Sequence, residues 1–399
     1  MSLPITVDYS IQGMTLPLPL DGASFSIIDS LNSFYNRATM SIPDSTGFFQ
    51  EAFLNAIGSV HHLKVSQDDA IVESEYVIQR RLNEEPVATG GIAGITSFNL
   101  VQRWMADQPN SSMAYTGTIS SIVDKLSSRY FPRRTDIDST GNKGTWLQAN
   151  DTDAYFIQTR LLPNAHSPTY EGAPFFAWCG NDNKFHFKNF EALWGNSGHV
   201  EAELYYSKNQ ASSNPAPDNT NRNRNSIFDI KVLTGTPTDH SKLIISNWVS
   251  LVDGTSAHAE AKHSEGALVA DNLILPRVFS TVPTSKSLGL FRKGMEDNFK
   301  GQQADQFRDS LLIYKLFLLI PLNLKLNSGK KVNVTIAANP DIDSTAHSGE
   351  YLIELAEHVW SHKERTGYTK LLLGRGAQSV PDGVSMKSFM PTVAGRRVT

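Results

Sequence analysis

The chain has 399 residues, of which 40% are hydrophobic and only 19% are charged, and it contains a single cysteine. With 36 basic and 40 acidic side chains, its formal net charge at pH 7 is −4. This balance excludes a disordered polyelectrolyte and the broad positive field that non-specific nucleic-acid binding requires. The lone thiol, Cys179, excludes an internal disulfide framework and a zinc site built on cysteines. The low charge favours association with other chains.

The apolar runs predict neither a secretory signal nor a membrane span. The N-terminal segment has no basic stretch followed by an apolar run. The most apolar stretch, 311–326, is interrupted by Lys315, Pro321 and Lys325, whereas a membrane helix needs about 18 consecutive apolar residues. We therefore expect a protein that is made in a cytoplasm and either stays there or is built into a larger assembly.

The first hundred residues are predicted to be mostly strands and turns, with short strands at 25–27 and 60–65. The apolar period then changes to that of a helix over 118–130. Thr118 is a suitable N-cap and Pro132 ends the run, which predicts an amphipathic surface helix. Its apolar face is formed by Ile119, Ile122, Val123, Leu126 and Tyr130.

A second, shorter helix is predicted to begin near Asp151 or Thr152 and to end before Pro163. After it, two apolar runs at 175–179 and 184–190 are separated by a turn sequence of glycine, asparagine and aspartate. This arrangement predicts a β-hairpin.

The remaining chain alternates between strand-like and polar segments. A strand is predicted at 202–206, and the polar segment 207–226 is predicted to be an exposed loop or a linker because nothing in it can form a core. Strands resume after Ile227, and a second strand-rich region is expected over 311–373. The segment 378–399 is expected to be an extended tail.

The sequence lacks the motifs of common catalytic sites. The glycines around Gly329 and within 141–145 do not follow the order of a phosphate-binding loop. The segment 195–198 is one residue short of the nucleophile elbow of hydrolases. Cys179 stands in an apolar strand, which favours a buried structural cysteine over a nucleophile.

The best metal candidate is the pair His358 and His362. On a helix, two histidines four residues apart lie about 6 Å apart and can share one zinc ion, whereas on a strand they lie ~13 Å apart. The secondary structure of 351–362 therefore decides the question, and its apolar pattern alone fits both. The other pair, His258 and His263, does not share a face of either element.

A cell-wall hydrolase is the natural enzymatic alternative, and it would need a pair of carboxylates. Glu296 and Asp305 have the spacing of the two acids in a phage lysozyme-like site, but Leu311 stands where that site has a threonine. Acidic pairs at arbitrary spacing are common among 40 carboxylates. Chance is therefore the better explanation of this pair.

Two segments resemble a known family. The first reads Thr-Trp-Leu-Gln-Ala-Asn-Asp-Thr-Asp-Ala-Tyr-Phe-Ile over 145–157, and the hairpin after it ends in Phe185-His186-Phe187. It resembles central hub proteins of contractile phage tails, namely the late-control D family and the hub half of type VI secretion spike proteins. There a Q-x-N/E-x-S/T-D turn opens a short helix that carries aromatic residues. The matched positions are Trp146, Gln148, Asn150, Asp153 and Phe156.

The second segment, 318–373, looks like the C-terminal barrel of the same family. In that barrel a strand and a glycine turn precede a V-x-V strand, which is followed by a G-x-Y-L-I … H … Y-T-x-L-L-L pattern. The resemblance implies that 351–362 is a strand, which argues against zinc at His358 and His362. The matched positions are Gly329, Gly349, Tyr351, Ile353, His358, Tyr368 and Leu372.

The resemblance implies a mainly β, α+β fold, in which two small tube-like β-barrel domains flank an α+β module and the chain assembles as a trimeric ring. The first barrel is expected within 1–115, the module within 116–206 and the second barrel within 311–376. The loop-rich β region 207–310 is a candidate for completing the first barrel. An extended C-terminal tail is expected at 377–399.

The function that the resemblance implies is structural and not enzymatic. The protein would be the central hub of a phage tail baseplate, a homotrimer with pseudo-sixfold symmetry that joins the hexameric tail tube to the trimeric spike. Its partners would be copies of itself, the tail-tube protein or a tube-initiator ring, a spike or tail-lysozyme protein, and other baseplate proteins. No cofactor or metal is expected, and the location is the virion after assembly in the host cytoplasm. A tail-associated peptidoglycan hydrolase and another virion structural protein are the alternatives.

The C-terminal segment carries one further expectation. Because the chain ends soon after the second predicted barrel, we expect the spike to be a separate chain and not a fused module. The polar tail 377–399, with Arg396 and Arg397, is predicted to extend onto that spike. A frayed terminus is the alternative.

Overall fold

The computed structural model describes most of the first 206 residues and a smaller part of the chain beyond them. Several predicted features lie outside the described residues: positions 207–224 of the predicted loop 207–226, the acids Glu296 and Asp305, His362, and the tail 377–399 with Arg396 and Arg397. The described residues are 5–11, 14–15, 23–31, 33–44, 59–84, 94–106, 108–141, 143–169, 174–195, 200–206, 225–234, 245–250, 256–260, 290–291, 312, 314–337, 347–361 and 366–375.

The described chain is mainly β, with few helices, as the sequence predicted. The first strands are β1 (Ile5–Ile11), β2 (Met14–Thr15), β3 (Ser24–Ser30), β4 (Arg37–Asp44), β5 (His61–Gln67), β6 (Ala70–Glu84), β7 (Gly94–Gln102), β8 (Ser111–Thr118), β9 (Thr135–Ile137) and β10 (Lys143–Asp151). The later ones are β11 (Phe175–Cys179), β12 (Phe185–Asn189), β13 (Ala202–Tyr206), β14 (Asp229–Thr234), β15 (Ile245–Ser250), β16 (Ser256–Glu260), β17 (Leu290–Phe291), β18 (Tyr314–Pro321), β19 (Lys331–Ile336), β20 (Gly349–Ser361) and β21 (Thr366–Arg375).

The helices are short and lie between the strand-rich parts. None in the described part of the chain is long and apolar enough to cross a membrane. They are Arg103–Ala106, Ile119–Ser127, Asp153–Phe156 and Phe190–Gly195, with a π turn at Ile157–Leu161 and a 3₁₀ turn at Leu162–Asn164.

Two of the helices and the hairpin between 116 and 195 confirm the sequence predictions. The amphipathic helix spans Ile119–Ser127, and the Thr118 side chain accepts the Ser121 N–H at its N-cap. The second helix spans Asp153–Phe156 and is capped by Thr152. The predicted hairpin is formed by β11 and β12, which pair antiparallel. Local signals suffice here because each element is specified by its own period and cap.

One thirteen-stranded sheet joins the two ends of the chain. Its strands follow the order β14-β18-β21-β20-β3-β4-β7-β6-β5-β1-β2, and β19 and β13 branch from β20. We call β1–β7 the N-terminal half, and β13, β14, β18, β19, β20 and β21 the C-terminal half. Strand β20 pairs with β19 through Gly349–Leu352 and with β3 through Leu355–Ser361, with a bulge near Glu354. This long strand therefore connects the two halves.

Two strands from the middle of the chain, β13 and β14, pair with strands of the C-terminal half. The strand β13, assigned to the α+β module 116–206, pairs in parallel with β19 of the C-terminal half. The strand β14, in the region considered for completing the first barrel, pairs antiparallel with β18 of the C-terminal half. Strand pairing is non-local and leaves no sign in the local sequence, so these two pairings are visible only in the folded chain. Leu204 of β13, Ile230 of β14 and Ile227, which precedes β14, add buried side chains to the C-terminal core.

The segment that leads into β14 also reaches the outer side of β13. The Tyr205 N–H donates to the Asn225 carbonyl at 2.9 Å, and the Ile227 N–H donates to the Tyr205 carbonyl at 2.8 Å. The next residue, Phe228, donates its N–H to the carbonyl of Leu319 in β18 at 2.7 Å. The segment thus spans the space between β13 and β18, although no continuous ladder joins β13 to β14 among the residues that the structure describes.

Four apolar cores lie within the part of the chain that the structure describes. The N-terminal half has its own core, which also receives Leu322, Leu324 and Trp360 from the other end of the chain. The C-terminal half has a second core. The third belongs to the segment 108–195, which we call the middle module, and Phe34 and Trp104 extend into it from the N-terminal half. A fourth, smaller core contains side chains from all three parts of the molecule, namely Leu31, Phe176, Trp178, Phe190, Leu193, Leu312 and Leu352.

Candidate functional site

A buried hydrogen-bond network lies under the first family-like motif. The Asp153 side chain is 2% exposed. Its Oδ2 accepts from Arg129 Nη1 at 2.9 Å and from the Tyr130 hydroxyl at 3.1 Å, and its Oδ1 accepts from Gln148 Nε2 at 3.0 Å. The Tyr115 hydroxyl donates to Gln148 Oε1 at 3.1 Å. A buried carboxylate is tolerated here because a guanidinium and two further donors meet it.

The other motif positions shape the backbone around that network. Asn150 has φ +58° and lies at a bulge in the pairing of β10 with β8. Asparagine adopts this left-handed conformation more readily than most residues. Gln148 Nε2 also donates to the Asp151 carbonyl at 2.8 Å, and Phe156 is fully buried and stacks on Tyr115. Trp146 packs at the edge of the same core. The motif thus specifies a bulge, a cap and a core contact.

The ribbon formed by β8 and β10 presents apolar side chains to solvent above this network. The two strands pair only with each other among the described strands. Leu147 is 67% exposed, Met113 is 49% exposed, and Tyr155 in the following helix is 53% exposed. Free strand edges and exposed apolar side chains are features of surfaces that contact other proteins.

A polar cleft of about 580 Å³ separates the N-terminal half from the middle module. Along it Arg103 Nη1 pairs with Glu75 Oε2 at 3.0 Å, and His62 Nε2 contacts Glu73 Oε1 at 2.8 Å. The cleft therefore carries side chains of both signs, and Arg129 and Arg134 add further positive charge to its lining. The module side of the cleft is lined by Arg129, Tyr130, Phe131, Pro132, Arg134 and Asn183.

The hairpin of the middle module holds a histidine between two carboxylates. His186 Nε2 lies 3.0 Å from Asp182 Oδ1, and its Nδ1 lies 3.4 Å from Asp136 Oδ2. Burial opposes protonation of the ring, but hydrogen bonds to Asp136 and Asp182 outweigh it and raise the pKa of His186 to about 9. The imidazolium stacks on Trp178 with ring centroids 4.6 Å apart. The histidine of the family-like hairpin therefore has a structural role.

Trp178 also connects the hairpin to a turn of the C-terminal half. Gly329 in that turn has φ +83°, and a Cβ added there would lie 2.6 Å from Trp178 Cζ2. The Gly329 N–H donates to the Ile353 carbonyl at 2.9 Å, and the Ile353 N–H donates to the Lys330 carbonyl at 2.9 Å. Gly329 and Ile353, both matched positions of the second family-like segment, thus fix the turn against β20.

Two further matched positions, Gly349 and Tyr351, lie at the start of β20 and make contacts that hold this end of the strand in place. Gly349 opens the strand with φ +126°. Tyr351 is 1% exposed and donates its hydroxyl proton to the His347 carbonyl at 2.8 Å. The Arg375 guanidinium lies 4.4 Å from the centre of the Tyr351 ring. Burial raises the pKa of Tyr351 to about 12, so the phenol stays neutral.

His358 lies in a strand, as the resemblance implied, and it is buried. Its Nδ1 is 3.0 Å from Thr369 Oγ1, and burial lowers its pKa to about 4. Within β21, Tyr368 pairs with Val359, and Leu372 is half-buried opposite Leu355. Because 351–361 is a strand, the helical geometry that a shared zinc ion would need is absent from this segment.

The other chemical candidates lead to no reactive centre in the described structure. Cys179 is fully buried, and burial raises its pKa well above the usual range, which confirms the prediction of a buried structural cysteine. Among the described residues, no group of three or more His, Cys, Asp and Glu side chains could hold a metal ion.

Several structurally important polar residues carried no signal in the sequence. Gln67, Asp29 and Arg129 make buried or partly buried hydrogen bonds to partners in other parts of the chain. Each stands in a segment with an ordinary pattern, so only the folded arrangement shows what it contacts. The matched family positions, by contrast, were recognised through their resemblance to a known family pattern.

Comparison with solved structures shows two tail proteins that are similar over nearly their whole length. One is the tail protein from Neisseria meningitidis, with a TM-score of 0.57 and 13% identity, covering 96% of this chain and 98% of that one. The other is the 43 kDa tail protein of prophage MuSo2 from Shewanella oneidensis, with a TM-score of 0.58 and 9% identity, covering 93% of this chain and 98% of that one. The chain has the fold of these tail proteins.

The resemblance inferred from 145–157 and 318–373 is thus confirmed at the level of the fold. A component of the type VI secretion system of E. coli is similar at a TM-score of 0.49 and 11% identity, covering 94% of this chain and 79% of that one, which is too weak to carry an argument. No protein-family model matches the chain, and no curated protein matches it.

Proposed function

We propose that this protein is a structural component of a phage tail and forms the central hub of its baseplate. In this role a homotrimer joins a hexameric tail tube on one side to a trimeric spike on the other. The observation that carries the proposal is the likeness of nearly the whole chain to two tail proteins. The exposed apolar ribbon also favours contact with other proteins.

The arrangement of the two halves suits a threefold assembly with pseudo-sixfold symmetry. Each half has its own core, and β20 connects them. In our proposal each half is a small tube-like barrel, so three copies place six barrels around a central axis. A closed symmetric ring gives exposed sheet edges a partner, which stabilises an assembly without any bound cofactor.

The partners in this proposal are copies of the chain, the tail-tube protein or a tube-initiator ring, a spike or tail-lysozyme protein, and other baseplate proteins. The location is the virion tail, after assembly in the cytoplasm of the host bacterium. The middle module would lie outside the ring, where its ribbon is free to meet neighbouring baseplate proteins.

Mass in solution tests the proposal most directly. We expect the purified chain to form a species of three times 44.0 kDa, and to appear as a ring in negative-stain images. Mass photometry of the chain alone and after co-expression with tail-tube protein gives the measurement. A stable monomer that never joins tail-tube protein contradicts the hub. Clearing of peptidoglycan by the purified chain, lost in Glu296→Gln, would instead favour the hydrolase alternative.

A further inference from the structure

One fully buried carboxylate lies where the three parts of the molecule meet. Asp29 belongs to β3 of the N-terminal half and is 0% exposed. Its Oδ2 accepts the Asn181 N–H at 3.3 Å from the hairpin turn of the middle module. The same oxygen accepts the Ser328 N–H at 3.2 Å from a turn of the C-terminal half, and Oδ1 accepts the Ser328 hydroxyl proton. All three donors belong to the other two parts.

No cation among the described residues compensates this carboxylate. The titratable groups that act on it are Asp182 from the hairpin turn, Cys179 from β11 and Tyr76 from β6. Burial raises the pKa of Cys179 and of Tyr76, so both are neutral. Asp182 repels a negative charge on Asp29, although Asp182 itself pairs with His186 at 3.0 Å.

We propose that Asp29 is a proton-operated latch that holds the middle module and the C-terminal half against the N-terminal half. In this proposal the three parts are held together more strongly when the Asp29 carboxyl group is protonated than when it is ionised. This goes beyond the hub function, because it concerns how firmly the three parts of one copy are joined.

The donors around Asp29 suit both protonation states. When the group is ionised, the Ser328 hydroxyl and the two backbone N–H groups all donate to it. When a proton from solvent is added, the carboxyl O–H donates to the Ser328 oxygen, whose own proton rotates away, and the other carboxyl oxygen still accepts the two N–H groups. The hydrogen bonds are therefore retained on protonation, while the uncompensated buried charge and its repulsion by Asp182 disappear.

The direction of the pH effect follows from the pKa. Burial raises the pKa of Asp29 from 3.8 to about 6, although hydrogen bonds from Ser328 and Asn181 lower it in part. An acid whose pKa is raised in the folded state stabilises the contact between the three parts fully when the pH is below the pKa of the exposed group. This stabilisation is lost as the pH rises through the pKa of the buried group. A shift of about two pKa units corresponds to a change of about 100-fold in the equilibrium constant for local separation of the three parts around Asp29.

Hydrogen exchange of the full chain tests the latch. We expect protection of the peptides that contain Asn181 and Ser328 to fall by up to about 100-fold between pH 4 and pH 7, after correction for intrinsic exchange. In Asp29→Asn the amide oxygen accepts the two N–H groups and the NH₂ donates to the Ser328 hydroxyl, as in the protonated acid. Protection in this variant should stay high and independent of pH. Asp8→Asn, an exposed acid on β1, is the matched control and should keep the wild-type profile.

A second variant serves if Asp29→Asn does not fold. Ser328→Ala removes a donor that favours the ionised carboxylate, so the midpoint of the protection profile should move to higher pH. The proposal is overturned if protection in the wild type does not change with pH. It is also overturned if protection in Asp29→Asn changes with pH as it does in the wild type. A midpoint in Ser328→Ala that stays in place or moves to lower pH overturns it as well.

Discussion

The Asp153 carboxylate illustrates how a single side chain can organise the middle module. It is almost fully buried, yet a guanidinium, a phenol and an amide all donate to it. Those donors come from the end of the helix Ile119–Ser127 and from β10, so the network ties the helix to the exposed ribbon. The rigidity of the ribbon therefore depends on a residue that does not itself reach the surface.

Replacing this carboxylate should weaken the whole module. In Asp153→Ala, Tyr130 and Gln148 each lose an acceptor, and the partly exposed Arg129 loses its ion pair. We expect the free energy of unfolding to fall by about 2–3 kcal/mol, measured by urea denaturation with tryptophan fluorescence. Asp151→Ala, whose side chain lies outside the network, should change it by less than about 0.5 kcal/mol. Equal losses in the two variants would show that the network adds nothing.

Among the strands and turns, the turn at Gly329 packs closely against the hairpin of the middle module, which is far from it in sequence. A side chain at Gly329 would meet both an unfavourable backbone conformation and the Trp178 ring. The turn also hydrogen-bonds to β20, so a shift of the turn would be passed to the strand that connects the two halves.

A methyl group added at this turn should therefore be costly. We expect Gly329→Ala to lower the free energy of unfolding by about 2–4 kcal/mol, through a left-handed backbone and a clash with Trp178. Gly195→Ala is the matched control, because a Cβ there meets nothing within 4 Å. Thermal denaturation followed by circular dichroism compares the two variants. A melting temperature for Gly329→Ala equal to that of Gly195→Ala would contradict the predicted clash.

Local sequence signals identified most elements but not their partners. The helix Ile119–Ser127 was predictable because its apolar period, its N-cap and the proline after it all agree. The strand β13 was also predicted, but its partner strand was not. Its pairing with β19 bridges more than a hundred residues, and a five-residue strand carries no record of which edge it meets.

Across the whole chain, the two sheet halves are joined by more than the shared strand β20. Gln67, at the end of β5, is 2% exposed. Its Nε2 donates to the Leu322 carbonyl at 2.8 Å, and its Oε1 accepts the Leu324 N–H at 3.0 Å. Leu322 and Leu324 themselves lie in the core of the N-terminal half. One amide thus closes a contact between segments about 255 residues apart in sequence.

Removing the Gln67 amide should weaken the contact between the two sheet halves and lower the free energy of unfolding. In Gln67→Ala a buried carbonyl and a buried N–H lose their partner, which should cost about 2–3 kcal/mol of unfolding free energy. Urea denaturation followed by circular dichroism measures the loss. Gln158→Ala, an exposed amide in the middle module, is the control and should lie within about 0.5 kcal/mol of the wild type. The proposed link between the halves would be wrong if both variants unfolded at the same urea concentration.

The amino-acid sequence carries enough information to establish a mainly β chain, a buried Cys179 and an amphipathic helix before a hairpin, because these features depend on period, composition and contacts between near neighbours. It also contains two segments that resemble tail hub proteins, and these were recognised from their matched residues. The placement of β13 and β14, the meeting of three parts at Asp29 and the amide of Gln67 all arise in the folded molecule. They join residues that are far apart along the chain, and pairing between strand edges depends on backbone groups that every residue type shares.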